Sequence, residues 1–183
     1  MLSLPIETTR LVMREFAEDD LDGMLAYTTD ERVTRYLPWT PRDEETTRRH
    51  LASLLRSQRD RRRRAWELAV VRATDGRLLG ACDLTLMGAR EAEVGYVLAR
   101  AHWGQGYATE VASALVDAAF RQLGVDRVSS TADTSNKRSL GVLDKCGMRW
   151  EGTVRRHART GSRWWDVHVY SLSREDWQAT GSG

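Results

Sequence analysis

Between His102 and Glu110 the chain reads HWGQGYATE, with Gly104, Gly106 and Ala108 at every second position. The run before it, AEVGYVLA at 92–99, has the composition and length of a strand. The run after it repeats Val111, Ala112, Leu115, Ala118, Ala119 and Leu123 at helical spacing and stops at Gly124. The small residues therefore fall on a strand-to-helix turn. Backbone amides at a helix amino terminus have no partner within the helix and sit at the positive end of its dipole. Missing side chains would let an anion approach them, so the pattern predicts a phosphate-bearing ligand. Two glycines could equally make only a tight turn. A dinucleotide fingerprint would need a third glycine where Thr109 stands, and no G-K-[ST] sequence of a phosphate-binding loop is present. Asp133, at the end of the next predicted strand, stands where an acidic residue could bind a ribose. The antiparallel run upstream of the turn argues against that fold.

At 183 residues, with 41% hydrophobic and 30% charged residues, the chain fits one soluble domain over 1–183. No apolar run is long enough for a membrane span, and the start MLSLPIETTR lacks a signal core, so a cytoplasmic protein is expected. Cys82 and Cys146 lack ligand spacing, and no metal is expected. A net charge of +2 gives little reason for nucleic-acid binding, although Arg59 and Arg61–Arg64 form a local basic run at the expected end of a helix.

TRLVMREF at 9–16 alternates as an opening strand. Acidic first turns at Glu18–Asp20 and at Asp43–Glu44 precede two helical patterns. Between them, TRYLPWTP at 34–41 carries Tyr36, Leu37 and Trp39 on a proline-broken loop that should cover something. ELAVVRA, a Thr74-Asp75-Gly76 turn, RLLGACDLTL and AEVGYVLA predict a meander of three strands. DRVSSTAD at 126–133 is a further strand. Ser135 or Asn136 caps a helix ending at Gly147, and RWEGTVRR and RWWDVHVYSL form a closing hairpin about Thr160-Gly161-Ser162. The expectation is an α+β fold on one mixed sheet.

These blocks together resemble the GNAT acetyltransferases, in particular the ribosomal-protein N-acetyltransferases of the RimJ/RimL type, over almost the whole chain. ETTRLVMREFAEDD is similar to that group's opening strand and helix. HWGQGYATE resembles its acetyl-CoA motif [QR]-x-x-G-x-[GA], with Trp103 departing at the first position; DTSNKRSLGVLDKCGMRWEG and RWWDVHVYSLSREDW resemble the later blocks. The resemblance implies a central mixed, mostly antiparallel sheet of about seven strands flanked by four helices, splayed at the acetyl-CoA site. It further implies that Gly104, Gln105, Gly106, Tyr107, Ala108 and Thr109 wrap the pyrophosphate. Tyr96, Val97 and Leu98 would pair with the pantetheine arm, and Asn136 and Ser139 would approach the thioester. No metal is implied.

Acetyl transfer to an amine needs a base for the ammonium proton, a donor for the oxyanion and a proton for the leaving thiolate. Glu93 is the candidate base, ahead of Glu91 and Asp83, and a backbone amide near Val97 or Leu98 the candidate donor. The tyrosine that many GNAT enzymes place seven residues after the asparagine is replaced by Leu143, which leaves Ser139 as candidate acid or as a cofactor ligand only. Tyr36, Leu37 and Trp39 are the candidate acceptor residues. The resemblance favours a protein amino-terminal α-amine. An antibiotic, polyamine or amino acid remains open, with Asp19, Asp20, Asp22, Asp30 and Glu31 as an acidic run that could attract a polycation. So do a non-catalytic CoA-binding sensor, an RNA-binding module and either a monomer or a homodimer.

Overall fold

The computed structural model describes residues 2–160 and 163–179. One eight-stranded sheet runs in the order β1-β2-β3-β4-β5-β6-β8-β7. Its strands are β1 (Ile6–Glu7), β2 (Leu11–Arg14), β3 (Ala65–Arg72), β4 (Leu78–Leu86), β5 (Glu91–Leu98), β6 (Arg127–Asp133), β7 (Arg149–Thr160) and β8 (Arg163–Ser173). Among the described strands only β5 and β6 pair in parallel. The expected seven strands become eight through β1, whose two residues pair with Val12 and Met13 and are too few to show alternation in the sequence. The turn at Gly161 and Ser162, expected to close the last hairpin, lies outside the described residues.

Among the described residues six α-helices flank the sheet: α1 (Leu21–Thr28), α2 (Glu31–Thr34), α3 (Glu44–Ser57), α4 (Tyr107–Ala118), α5 (Lys137–Lys145) and α6 (Arg174–Trp177). The expectation of four missed α2 and α6, each a single turn too short for a helical period. Both are set by caps instead, as Asp30 accepts from the Arg32 amide and Ser173 from the Asp176 amide. α4 passes into a five-residue π turn, Ala119–Leu123, before Gly124 stops it at φ +68°. No helix among the described residues is long and apolar enough to cross a membrane.

Strand alternation divides the core between the two faces of the sheet. On one, Leu68, Val70, Leu84 and Val94 pack under Val111, Leu115 and Phe120 of the α4 segment. On the other, Ala69, Val71 and Ala81 pack under Met24 and Tyr27 of α1 and Leu51 and Leu54 of α3. Each fully buried Leu or Val stabilises the fold by roughly 1.5–3 kcal/mol. The sheet is thus clamped from both sides, and β5 at its centre is held in a fixed place.

β5 and β6 are paired only through Glu91–Glu93 and Arg127–Ser129, and then part. On its other edge β5 stays paired with β4 as far as Leu98. Gly80 of β4 makes that approach possible, because a Cβ there would lie 2.0 Å from the Val97 carbonyl oxygen and 2.7 Å from the Leu98 Cα. Neither backbone atom can give way without moving β5. Gly80→Val is therefore expected to destabilise the protein by about 3 kcal/mol, at the upper end of overpacking penalties. Chemical denaturation of the two proteins measures it.

Candidate functional site

The parting of β5 from β6 is enforced by side chains that take over backbone hydrogen bonds. Ser130 Oγ of β6 donates to the Val94 carbonyl at 2.8 Å, and the Trp103 indole Nε1 donates to the Leu98 carbonyl at 2.8 Å. The Ala99 amide donates to Leu79 on the β4 side. By the alternation of an antiparallel ladder, Tyr96 and Leu98 therefore turn their amides to the open edge. Between the two capped carbonyls, this edge presents the Tyr96 amide and carbonyl and the Leu98 amide. Trp103, the departure from the family's motif, thus has a structural role in ending the strand.

Immediately beyond, Gly104 and Gly106 adopt φ +75° and +81°, the left-handed region where a side chain would be strained. α4 then starts at Tyr107, so its first amides face outward beside bare backbone. A Cβ on Gly104 would meet nothing within 4 Å, so this glycine serves conformation and approach rather than packing. Arg10 braces the turn from beneath: Nη1 donates to the Gln105 carbonyl at 3.0 Å, Nε to Glu110 at 2.6 Å, and the guanidinium lies 4.5 Å from the centre of the Tyr107 ring.

A cleft of about 1000 Å³ opens over this edge. Its walls hold Tyr96, Val97, Leu98, Gly104, Gly106, Tyr107, Ala108 and Thr109 from β5 and the turn into α4, Asn136 and Ser139 from the start of α5, and Tyr36 and Leu37 from the segment after α2. Of the residues singled out from the sequence as cofactor or acceptor contacts, Gln105 and Trp39 are not in these walls. Gln105 is exposed and donates back to the Ala101 carbonyl, while the Trp39 ring lies under Arg42, 4.5 Å away. The described lining holds Arg32, Arg35, Lys137, Arg138 and Lys145 and no carboxylate, which suits an anionic ligand.

Asn136 caps α5 by accepting from the Ser139 amide at 3.2 Å. That leaves the Ser139 hydroxyl directed at Tyr96, with 2.9 Å between the two oxygens. Burial pushes the Tyr96 phenol up to about 12, against a smaller opposing effect of its bond to Ser139, so it stays protonated near neutral pH. Leu143 is fully buried in the core, and Tyr96 brings a phenol to Ser139 from β5 instead. The resemblance gives Tyr96 only a backbone role; its contact with Ser139 joins residues 43 apart and leaves no signal in the local sequence.

Glu93 lies on the opposite face of β5, as do Gly95 and Val97, and accepts from Thr131 at 3.4 Å. On that face Glu67 stands across from Asp83, and Asp83 across from Gly95. Glu67 is bonded to His50 Nε2 at 2.8 Å. Glu91 is spent on an ion pair with Arg127. Burial, and then the charges of Glu67 and Glu93, push Asp83 up to about 7. No group of described His, Cys, Asp and Glu residues is placed to hold a metal.

Of Asp19, Asp20, Asp22, Asp30 and Glu31, Asp20 and Asp30 are ion-paired, and all but Glu31 line a separate cleft of about 790 Å³. Asp20 binds Arg14 at 2.7 and 2.9 Å, and Asp30 binds Arg100 at 3.0 Å while capping α2. Asp133 accepts from the Ser135 amide at 2.8 Å, which makes it part of the turn into α5 rather than an open ribose contact. His168 meets Thr153 and Trp150 on the exposed hairpin. Cys82 is buried, and Cys146, half-buried, lies 3.4 Å from the Ser113 hydroxyl.

A mixed sheet parted beside a helix amino terminus, with open strand edge and bare turn in one cationic cleft, defines a class of protein that binds a phosphate-bearing cofactor with an extended arm. The family profile described as acetyltransferase (GNAT) domain matches residues 10–149, and the chain belongs to this family of N-acetyltransferases, which use acetyl-CoA. It is 30% identical to the uncharacterized N-acetyltransferase YnaD of Bacillus subtilis, over 94% of this chain and 98% of that one. The crystal structure of a GNAT-family acetyltransferase from Bacillus anthracis superposes with a TM-score of 0.83 at 27% identity, covering 94% and 99% of the two chains. Two more distant structures share the fold. RimL, a ribosomal L7/L12 α-N-protein acetyltransferase in complex with CoA, has a TM-score of 0.78 at 20% identity, covering 93% and 98%. The spermidine N-acetyltransferase of Vibrio cholerae, in complex with CoA and spermine, has 0.77 at 17%, covering 93% and 99%.

The raised Asp83 carboxyl carries a stability consequence. The folded protein retains a proton that the unfolded chain releases near pH 4, so stability falls as pH rises from about 4 to about 7 and stays lower above it. Thermal melting at pH 5 and pH 8 should show a smaller fall for Asp83→Asn than for the wild type.

Proposed function

We propose that residues 1–183 form a single domain that transfers an acetyl group from acetyl-CoA directly to a primary amine in a ternary complex, with a protein amino-terminal α-amine as the acceptor. The observation that carries the reading is the open Tyr96–Leu98 edge leading into the left-handed Gly104–Gly106 turn at the start of α4. The amides of that turn would hold the pyrophosphate, with Thr109 and the cations of the cleft near the phosphates, and the amide and carbonyl of Tyr96 would pair with the pantetheine arm.

Acetyl-CoA supplies an activated thioester. The residues of the chain do the rest. The Leu98 amide is the donor for the developing oxyanion, a contribution of roughly 3 kcal/mol for a preorganised group. A carboxylate of the group containing Glu93 takes the ammonium proton. Ser139, bonded to Tyr96, protonates the leaving thiolate. Tyr36 and Leu37 cover the acceptor beside Val97. Opposed charge on the two faces of β5, cationic toward the cofactor and acidic toward the acceptor, supports an anionic donor meeting a cationic amine.

The protein α-amine rests on the RimJ/RimL resemblance and on the fold shared with RimL. A small-molecule amine is the second reading, favoured by an equally close fold likeness to the spermidine enzyme. Titration calorimetry with acetyl-CoA should show saturable binding. Thiol release should then occur with peptides beginning in serine or alanine and not with spermidine or kanamycin. The reverse pattern would establish the small-molecule reading, and binding with no release would favour a CoA sensor. Gly106→Glu is expected to abolish binding by setting a carboxylate against the pyrophosphate. Tyr96→Phe should preserve binding and lower kcat about tenfold, measured by steady-state thiol release.

A further inference from the structure

We infer that Asp83, rather than Glu93, takes the proton from the acceptor's ammonium group and is the catalytic base of the acceptor side, an inference that rests on the transferase reading above. The geometry at Gly95 carries it. A Cβ built there would lie 2.5 Å from Asp83 Oδ1 and 3.2 Å from its Cγ, so the carboxylate is laid over the bare backbone of β5. Gly95 is two residues from Val97 on the same face, about 7 Å along the strand. The proposed oxyanion donor, the Leu98 amide, follows at once. An amine attacking an acetyl carbon held at that amide would pass its proton to Asp83 through an intervening water.

The neighbours separate the candidates. Among the described residues, Glu93 already accepts from Thr131 and Glu67 from His50, whereas no hydrogen bond reaches the Asp83 carboxylate. Glu67 from β3 and Glu93 from β5 press on it with like charge, so burial and both neighbours favour its holding a proton. α1 contributes a second, independent sign of a ligand on this face. The Tyr27 side chain is 2% exposed, its hydroxyl has no hydrogen-bond partner among the described residues, and it feels the charge of Glu67. A buried hydroxyl without a partner among the described residues, on the same face of the sheet as a carboxyl that accepts no hydrogen bond there, marks where polar groups of an acceptor would arrive. Arg42, Asp20 and Cys82 also bear on Tyr27.

The proton count closes. Asp83 takes one proton from the ammonium, and the neutral nitrogen forms the N–C bond as the C–S bond breaks. The second nitrogen proton passes to the thiolate by way of Ser139, and Asp83 releases its own to solvent.

The test is the pH dependence of kcat/KM for wild type, Glu93→Gln and Asp83→Asn, using whichever of the serine or alanine peptides, spermidine or kanamycin turns over. The acceptor's own ionisation is common to all three, so only differences are read. The wild type should show a rising limb near pH 7. Glu93→Gln should keep that limb and move it to lower pH, because a like charge beside Asp83 is gone. Asp83→Asn should lose it, with kcat down about 100-fold and acetyl-CoA affinity by calorimetry within twofold. Gly95→Ala retains every titratable group while crowding the carboxylate, and should lower kcat about tenfold. Loss of the limb in Glu93→Gln would overturn the inference even if Asp83→Asn does not fold. A wild-type profile in Asp83→Asn would overturn it and leave the transferase reading standing. No turnover by the wild type with any of the acceptors would overturn both.

Discussion

The site depends on a short failure of strand pairing. β5 and β6 are parallel neighbours for three residues, and the ladder then stops although both strands continue. A sheet that opens in its interior leaves polar backbone without partners, a cost that would ordinarily close the gap. Here the Ser130 hydroxyl and the Trp103 indole satisfy the carbonyls of Val94 and Leu98, one at each end of the gap. The groups left between them are the ones an extended ligand could pair with. Because β4 and the two core layers hold β5 on its other sides, the opening does not spread.

The same strand separates charge. Tyr96 and Leu98 look toward α4 and α5, where arginines and lysines line the cleft. Glu93 and Gly95 look toward α1 and α3, where Glu67 and Asp83 stand opposite. Alternation of side chains along one strand thus puts an anion-binding surface and an acidic surface back to back, a few ångströms apart. A reaction joining an anionic thioester to a cationic amine has use for both. The crowding of Asp83 by two carboxylates is the stability cost of this arrangement.

Much of this was legible in the sequence because it is local. The strand before Ala99, the glycines at 104 and 106, the helix after them and the Asn136 cap are matters of spacing over ten or twenty residues. The structure places them as those spacings imply. What escaped has one of two causes. β1, α2 and α6 have two or four residues each, fewer than a period of alternation or of helix can reveal. Trp39, Asp20 and Asp30 could be seen as aromatic or acidic but not as engaged, since Arg42, Arg14 and Arg100 take part through side-chain geometry.

By itself the sequence determined that a strand would run into a bare turn at a helix amino terminus, and that blocks of strands and helices would follow in an order resembling acetyltransferases. Those properties belong to neighbours along the chain, where propensity and period act. Only the tertiary structure decided that Tyr96 would face Ser139, that Asp83 would lie over Gly95, and that the Tyr27 hydroxyl would be buried without a partner among the described residues. Each of these is a meeting of residues from different elements. The register of the sheet and the packing of helices on its two faces set them, and no spacing within the chain encodes that distance.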